Sequence, residues 1–361
     1  MKNHLFSRAI GALGGLAALA WAAQCHAVEP GDTDPHQPGA AAGAPLALLP
    51  PPGFYFVNNF NYVSGSLNDG NGNVNKFPAH TAVNVTAYVE IPVLTWSSPF
   101  HILGAQYGAT LLQPIVTNSA TTTSAATHGV PVTTSKTGLD NLAISPMILS
   151  WRLPAGLFAA VSIPIAFGNT GDNEANAKGG TTVTPHNAAD YWIFSPSAYF
   201  AWFNGHGTQL SLNAEYDIQT KDNNFLNVAG SKLSYQSGDF LTLDFGALQT
   251  LPGAYHKWSV GIVGSFATQT TDDTVSGNPV ALGLVGAAPG RVPANFLGLG
   301  NSAGNRFQSL ALGPSVFYEF GPIVMNLYLT RDLYAKNTAQ LTTFWWAIAI
   351  PLCVKRAAPD K

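Results

Sequence analysis

The residues with chemical potential in this chain are polar side chains that recur at every second position. From Thr208 to Thr220, Gln209, Ser211, Asn213, Glu215 and Asp217 alternate with Leu210, Leu212, Ala214, Tyr216 and Ile218. That is the period of a β-strand. The same parity count along the chain places Asn84, Glu90, Gln106, Asn213, Glu215, Asp217, Asp244 and Glu319, with Gln209 and Asn326, on the face opposite the apolar one. Carboxylates are costly in hydrocarbon, so this set is expected to line a wet lumen. An excess of acids there favours neutral or cationic solutes over anions. The alternative is that the acids pair with strand or plug residues for structure alone.

Other chemistry is not indicated. The nine histidines are scattered through loops and strand ends, with neither an HExxH spacing nor a Cys/His cluster, so no metal site is expected. No phosphate-binding glycine motif joins a strand to a helix, so no cofactor is expected either. His80 and His186 stand near long loops without a paired base or orienting acid, and no catalytic residue is assigned. A net charge of -3 and a pI near 6.3 leave no basic stripe for nucleic acid.

The elements that must position the inward residues are strands. Leu142 to Phe167 shows this best: two apolar runs of period two flank a turn at Arg152 to Gly156, and the second face is small and weakly polar. Only 10% of the 361 residues are charged, against roughly 25% in soluble domains. Outside the N-terminus, no apolar run approaches the roughly 18 residues of a membrane helix. Strands that cross a membrane must close into a barrel.

Strand patterns fall at 53–66, 80–96, 100–116, 142–151, 157–167, 191–203, 208–220, 240–249, 258–270, 307–320, 323–330 and 340–352. The expected fold is therefore all-β: a single transmembrane antiparallel barrel of about twelve strands. Turns such as Ser97–Pro99, Asn204–Gly207 and Gly321–Pro322 alternate with long loops such as 117–136, 168–189, 222–237 and 272–306. Short turns and both termini would then share the periplasmic side. Trp96, Trp151, Trp202, Trp258 and Phe320 near short turns fit an interfacial girdle.

The second strand is expected to turn Val83, Val85, Val89, Ile91 and Val93 to lipid, and Asn84, Thr86 and Glu90 to the lumen. Pro92, Pro114, Pro146, Pro164, Pro196, Pro314 and Pro351 fall inside strands. Because proline cannot donate to the ladder, bulges or kinks are expected there, either to set curvature or to break the wall.

Residues 1–27 read as a signal peptide: Lys2 and Arg8, an apolar Ala9 to Ala23, then Cys25-His26-Ala27. Without it only Cys353 remains, so no disulfide framework is available. Residues 28–49 form a Gly/Ala/Pro-rich tail, read either as a periplasmic leader or as a segment that occludes the bore. Residues 50–352 make the barrel, and 353–361 a C-terminal tail.

Several segments are familiar in combination: Leu49-Pro50-Pro51-Pro52-Gly53-Phe54-Tyr55, Thr137-Gly138-Leu139-Asp140 with Ser145-Pro146 before Trp151, Tyr235-Gln236-Ser237-Gly238-Asp239, and Leu312-Gly313-Pro314. Over the mature chain they resemble the phenol-degradation meta-pathway (SphA-like) outer-membrane protein family. The usual Gly-Leu-Gly-Asp is here Gly138-Leu139-Asp140-Asn141. The resemblance implies a barrel in the cell outer membrane connected with uptake or sensing of aromatic or long-chain apolar compounds. The expected function is a channel for small hydrophobic or aromatic solutes, with a structural or surface-binding barrel as the alternative and an enzyme third. Expected partners are outer-membrane lipid, the barrel-assembly machinery and a small apolar solute.

Overall fold

The structure is a computed structural model that describes residues 37–74, 82–123, 128–171, 187–228, 230–294 and 302–354. The expected signal peptide, residues 28–36 and most of the C-terminal tail lie outside them. Period-two segments rich in β-branched and aromatic residues form twelve barrel strands. These are β1 (Gly53–Leu67), β2 (Ala82–Ile102), β3 (Ala105–Leu112 with Ile115–Thr123), β4 (Val132–Leu139 with Ala143–Arg152), β5 (Leu157–Ser162 with Ile165–Ala166) and β6 (Ile193–Phe194 with Ser197–Phe203). The others are β7 (Thr208–Gln219), β8 (Phe240–Thr250), β9 (Trp258–Gln269), β10 (Gln308–Phe320), β11 (Ile323–Lys336) and β12 (Ala339–Val354). Each pairs antiparallel with its sequence neighbours, and β12 closes on β1 with Gly53 opposite Val354. Closure leaves no unpaired edge for lipid to face.

Gly53 and Val354 share one rim with the short turns. The β2–β3 turn is Leu103-Gly104, not Ser97–Pro99: both residues have positive φ (53° and 76°), the geometry of a two-residue hairpin turn. Trp151 and Trp202 point outward at this rim, and their indole N–H groups donate to Leu103 O (3.0 Å) and Ala155 O (3.2 Å) of neighbouring turns. Three expected loops are more ordered than composition implied. Residues 117–136 are largely a ribbon in which Ile115–Thr123 pairs with Val132–Leu139. The 222–237 and 272–306 loops build a cap of three strands, Asp222–Val228, Ser231–Gln236 and Thr274–Gly277, with a short helix Pro279–Leu284.

The cap has its own apolar core, including Phe225, Leu226, Leu233, Tyr235, Val275 and Leu282. Beneath it Asp273 is fully buried and accepts from Tyr235 Oη (2.5 Å), Gly238 N (2.6 Å), Gln269 Nε2 (2.6 Å) and Asn305 Nδ2 (2.9 Å). Burial pushes its carboxyl up to about 7, against the lowering effect of those donors.

The strand prolines sit where the ladder is interrupted. Pro114, Pro164 and Pro196 fall in the gaps that divide β3, β5 and β6, and register shifts accompany Pro146 and Pro351. Gly313-Pro314 falls in a gap of the β10–β11 pairing. Neighbouring strands meet these prolines through their carbonyls: Gln113 N donates to Pro92 O, Asp140 N to Pro114 O, Ser195 N to Pro164 O and Tyr216 N to Pro196 O. A line of reduced pairing therefore crosses the wall obliquely from β2 to β7.

The orientation of β2 is opposite to the one expected. Val85, Ala87, Val89, Ile91 and Val93 are buried inside the barrel, while Asn84 and Tyr88 are exposed and Glu90 is half-buried on the outer face. Asn84 accepts from Ser66 Oγ at 2.7 Å, and Glu90 accepts from Asn58 Nδ2. The physical reason is that the interior is not wet here. The valines join an apolar cluster with residues of the N-terminal tail, so the rule of apolar outside and polar inside fails in this sector.

Candidate functional site

The tail from Gln37 to Leu49 lies inside the barrel, every residue buried. Small side chains let it coil in successive tight turns, with Ala40 N donating to Gln37 O, Ala42 N to Gly39 O and Ala44 N to Ala41 O. Gly39 and Gly43 supply the positive φ values, 95° and 78°. The wall grips this coil by its backbone. Asp244 accepts from Gly39 N and Ala41 N, both at 2.7 Å. Asn213 Nδ2 donates to Ala41 O and Ala44 O (both 2.9 Å), and Gln209 Nε2 to Gly43 O (2.8 Å). Tyr328 Oη donates to Gly39 O (3.0 Å), and Ser150 Oγ to Ala47 O (2.6 Å). The tail then leaves through the periplasmic rim, where Pro50 O accepts from Ser97 Oγ and Gln106 Nε2.

The contact is tightest at Gly43. A Cβ there would lie 2.6 Å from Val263 Cγ1, and one on Gly246 would lie 2.4 Å from Gly43 Cα. Gly43→Val adds a β-branched side chain where φ is positive, which costs on the order of 1–3 kcal/mol before the clash is counted. This variant is expected to dislodge the coil, raising open-channel time in planar-bilayer recordings while the barrel keeps its heat-modifiable migration.

The lumen wall has two characters. Val57, Val63, Val85, Val89, Ile91, Val93, Leu112, Val116, Ile148, Phe158 and Ala160 make one side apolar. The other carries Ser195, Ser211, Asn213, Glu215, Asp217, Thr242, Asp244, Ser265, Ser315 and Asn326, all buried. Of the residues expected inward, Asn213, Glu215, Asp217 and Asp244 are grouped on adjacent β7 and β8. Ser197 Oγ donates to Glu215 Oε2 (3.1 Å) and Ser195 Oγ donates to Asp217. Gln106 and Glu319 lie at the periplasmic rim; Asn84 and Glu90 are outside, as described above. Sequence parity gives no signal of what these residues hold, because nothing in the acids or amides specifies a backbone as their partner.

Part of the interior is imperfectly matched. Asn59 Nδ2 and Oδ1, Asn61 Nδ2, Gln37 Oε1 and Trp345 Nε1 are buried without a protein partner, beside the stacked rings of Tyr328 and Trp345 (5.4 Å). Each such group costs about 1–3 kcal/mol relative to a satisfied one.

Below the coil a cavity of about 460 Å³ opens at the periplasmic mouth, lined by Leu48 of the tail, Arg152, Leu153, Phe158, Phe203 and Asn204 among others. Its volume is that of a small-molecule site, roughly 300–1,000 Å³. Phe158 and Phe203 meet edge to face at 5.7 Å, and the Arg152 guanidinium lies 5.3 Å from the Phe158 ring centre. The signal for this site was present in sequence: Arg152 is the single charge between Leu142 and Phe167. Among the described residues no group of three or more His, Cys, Asp or Glu side chains is arranged to hold a metal.

A family model described as "Putative MetA-pathway of phenol degradation" matches residues 64–348. The chain belongs to this family. No curated protein sequence matches it. Among solved structures it is similar to the COG4313 outer membrane channel from Pseudomonas putida F1, at TM-score 0.62 and 12% identity, covering 84% of this chain and 97% of that one. The transport unit of the autotransporter AIDA-I from Escherichia coli gives TM-score 0.47 at 12% identity over 83% and 90% of the two chains. The "TodX deltaS2S3 mutant monoaromatic hydrocarbon channel" gives TM-score 0.36 at 9% identity over 84% and 91%. Both are too distant to inform the site. The likeness shows the fold, a closed antiparallel β-barrel of the outer-membrane type.

Proposed function

We propose that the chain is an outer-membrane channel for small apolar and aromatic solutes, closed at rest by residues 37–49. The observation that carries this reading is the apolar sector of the lumen wall. A water-filled pore is polar around its whole interior, whereas this one carries a valine- and isoleucine-rich sector centred on β2 and its neighbours, interrupted by polar groups such as Asn59, Asn61 and Ser150, beside a polar wall. Such a path lets an apolar solute shed water gradually while its hydroxyl or ring edge keeps polar contacts opposite. The family's connection with phenol degradation supports the solute class. In this reading the barrel-assembly machinery inserts the chain and outer-membrane lipid surrounds it.

The measurement is initial uptake of a labelled phenol by intact Gram-negative cells with and without the protein, at equal amounts of assembled barrel. Faster uptake that saturates with solute is expected. Equal rates would leave the second reading, a surface-binding barrel, which the folded extracellular cap favours through its own core and its exposed Val280 and Leu284.

A further inference from the structure

We propose that the periplasmic cavity is a binding site for an aromatic monocarboxylate, with Arg152 as its counter-ion and Phe158 and Phe203 as its ring pocket. This rests on the channel reading and names one solute class that the exit of that channel would hold. Inward parity establishes that Arg152 belongs to the cavity rather than to the lipid interface. Ser150 reaches the tail carbonyl of Ala47 from the inner face, Trp151 points out to Leu103, and Arg152 is therefore inward again. Its register partner is Phe158, itself buried and inward.

Guanidinium and ring are thus cross-strand neighbours on one wall. Phe203 of β6 supplies the perpendicular ring, and Leu48 closes the cavity from above. Among the described residues Arg152 has no carboxylate partner; its interaction is with the Phe158 ring. An arginine offers a planar fork that matches a carboxylate in two parallel hydrogen bonds, which an amide or hydroxyl does not reproduce. A single-ring acid fits the arrangement as a unit: the ring packs on Phe158 and Phe203, and its carboxylate reaches the guanidinium from the open side. Glu215, Asp217 and Asp244 lie higher in the barrel on β7 and β8, and Glu319 shares the rim in the neighbouring pocket that Phe203 also lines, so an anion would collect on the Arg152 side of the rim rather than deeper.

The test is equilibrium binding of benzoate, of benzyl alcohol as a neutral ring of similar size, and of acetate as an anion without a ring, to the purified full chain in nanodiscs. Wild type should bind benzoate in preference to both others, and more weakly as salt is raised. Arg152→Gln should weaken benzoate about tenfold while leaving benzyl alcohol within twofold, and Arg152→Lys should recover part of the loss. Phe203→Ala should weaken both ring compounds. Loss of both ring compounds alike in Arg152→Gln, or wild type that binds acetate as well as benzoate, overturns the site. Binding is read without transport, so a chain that binds benzoate yet does not speed solute uptake refutes the channel and keeps the site. A chain that speeds phenol uptake yet does not bind benzoate does the reverse.

Discussion

A chain lacking Gln37 to Ala44 should assemble as the same barrel and conduct several-fold more current in planar bilayers. The deleted residues contribute nothing to the strand ladder, which closes through Gly53–Leu67 and Ala339–Val354 without them. What they contribute is volume in the lumen and a set of backbone contacts with Asp244, Asn213, Gln209 and Tyr328. Hydrogen bonds to a charged group are worth roughly 1.5–3 kcal/mol each, so the two N–H bonds to Asp244 contribute on the order of 3–6 kcal/mol to holding the coil. Against them stand the unmatched groups of Asn59, Asn61, Gln37 and Trp345. Residues 46–50 stay in the shortened chain, and Pro50 keeps its anchors to Ser97 and Gln106, so the rim itself is unchanged. A folded variant with the conductance of wild type would remove the coil from any gating role and leave it as a structural filler.

How much of this was readable in advance depended on what each face touches. β7 was legible residue by residue because its outer face meets lipid and its inner face meets polar backbone, and Leu210 to Gln219 therefore alternate cleanly. The prolines were legible as interruptions because the missing N–H is a local property, independent of neighbours. The tail's composition announced a segment without strand character, but its position depends on long-range contacts, Gly39 to Asp244 and Ala47 to Ser150, that no local pattern encodes. The cap was hidden for a similar reason: Phe225, Tyr235 and Val275 are short apolar signals in Gly- and Asn-rich stretches, and only their meeting makes a core. Parity placed Asp244 inward without indicating that both its oxygens bind main-chain N–H groups.

The inversion of β2 gives the second large effect. Here the alternation itself was unambiguous, and only the assignment of its faces failed, because valines suit lipid and a dry interior equally well. Val89 is fully buried in the cluster that includes Ala40 to Leu49. Val89→Trp should therefore overpack that interior at a cost of typically about 1–3 kcal/mol, seen as a lower temperature for the heat-modifiable shift or as a displaced tail and higher conductance. Val89→Arg would bury an unpaired cation among alanines and leucines, at a cost of several kcal/mol, and should fail to assemble. Tyr88 is 51% exposed on the outer face, so Tyr88→Trp should leave stability and conductance unchanged, since tryptophan suits the membrane boundary. The tryptophan pair decides the register, because a one-residue slip exchanges the two faces. Were Val89 the lipid-facing residue, its tryptophan variant would be silent and that of Tyr88 would disturb the lumen.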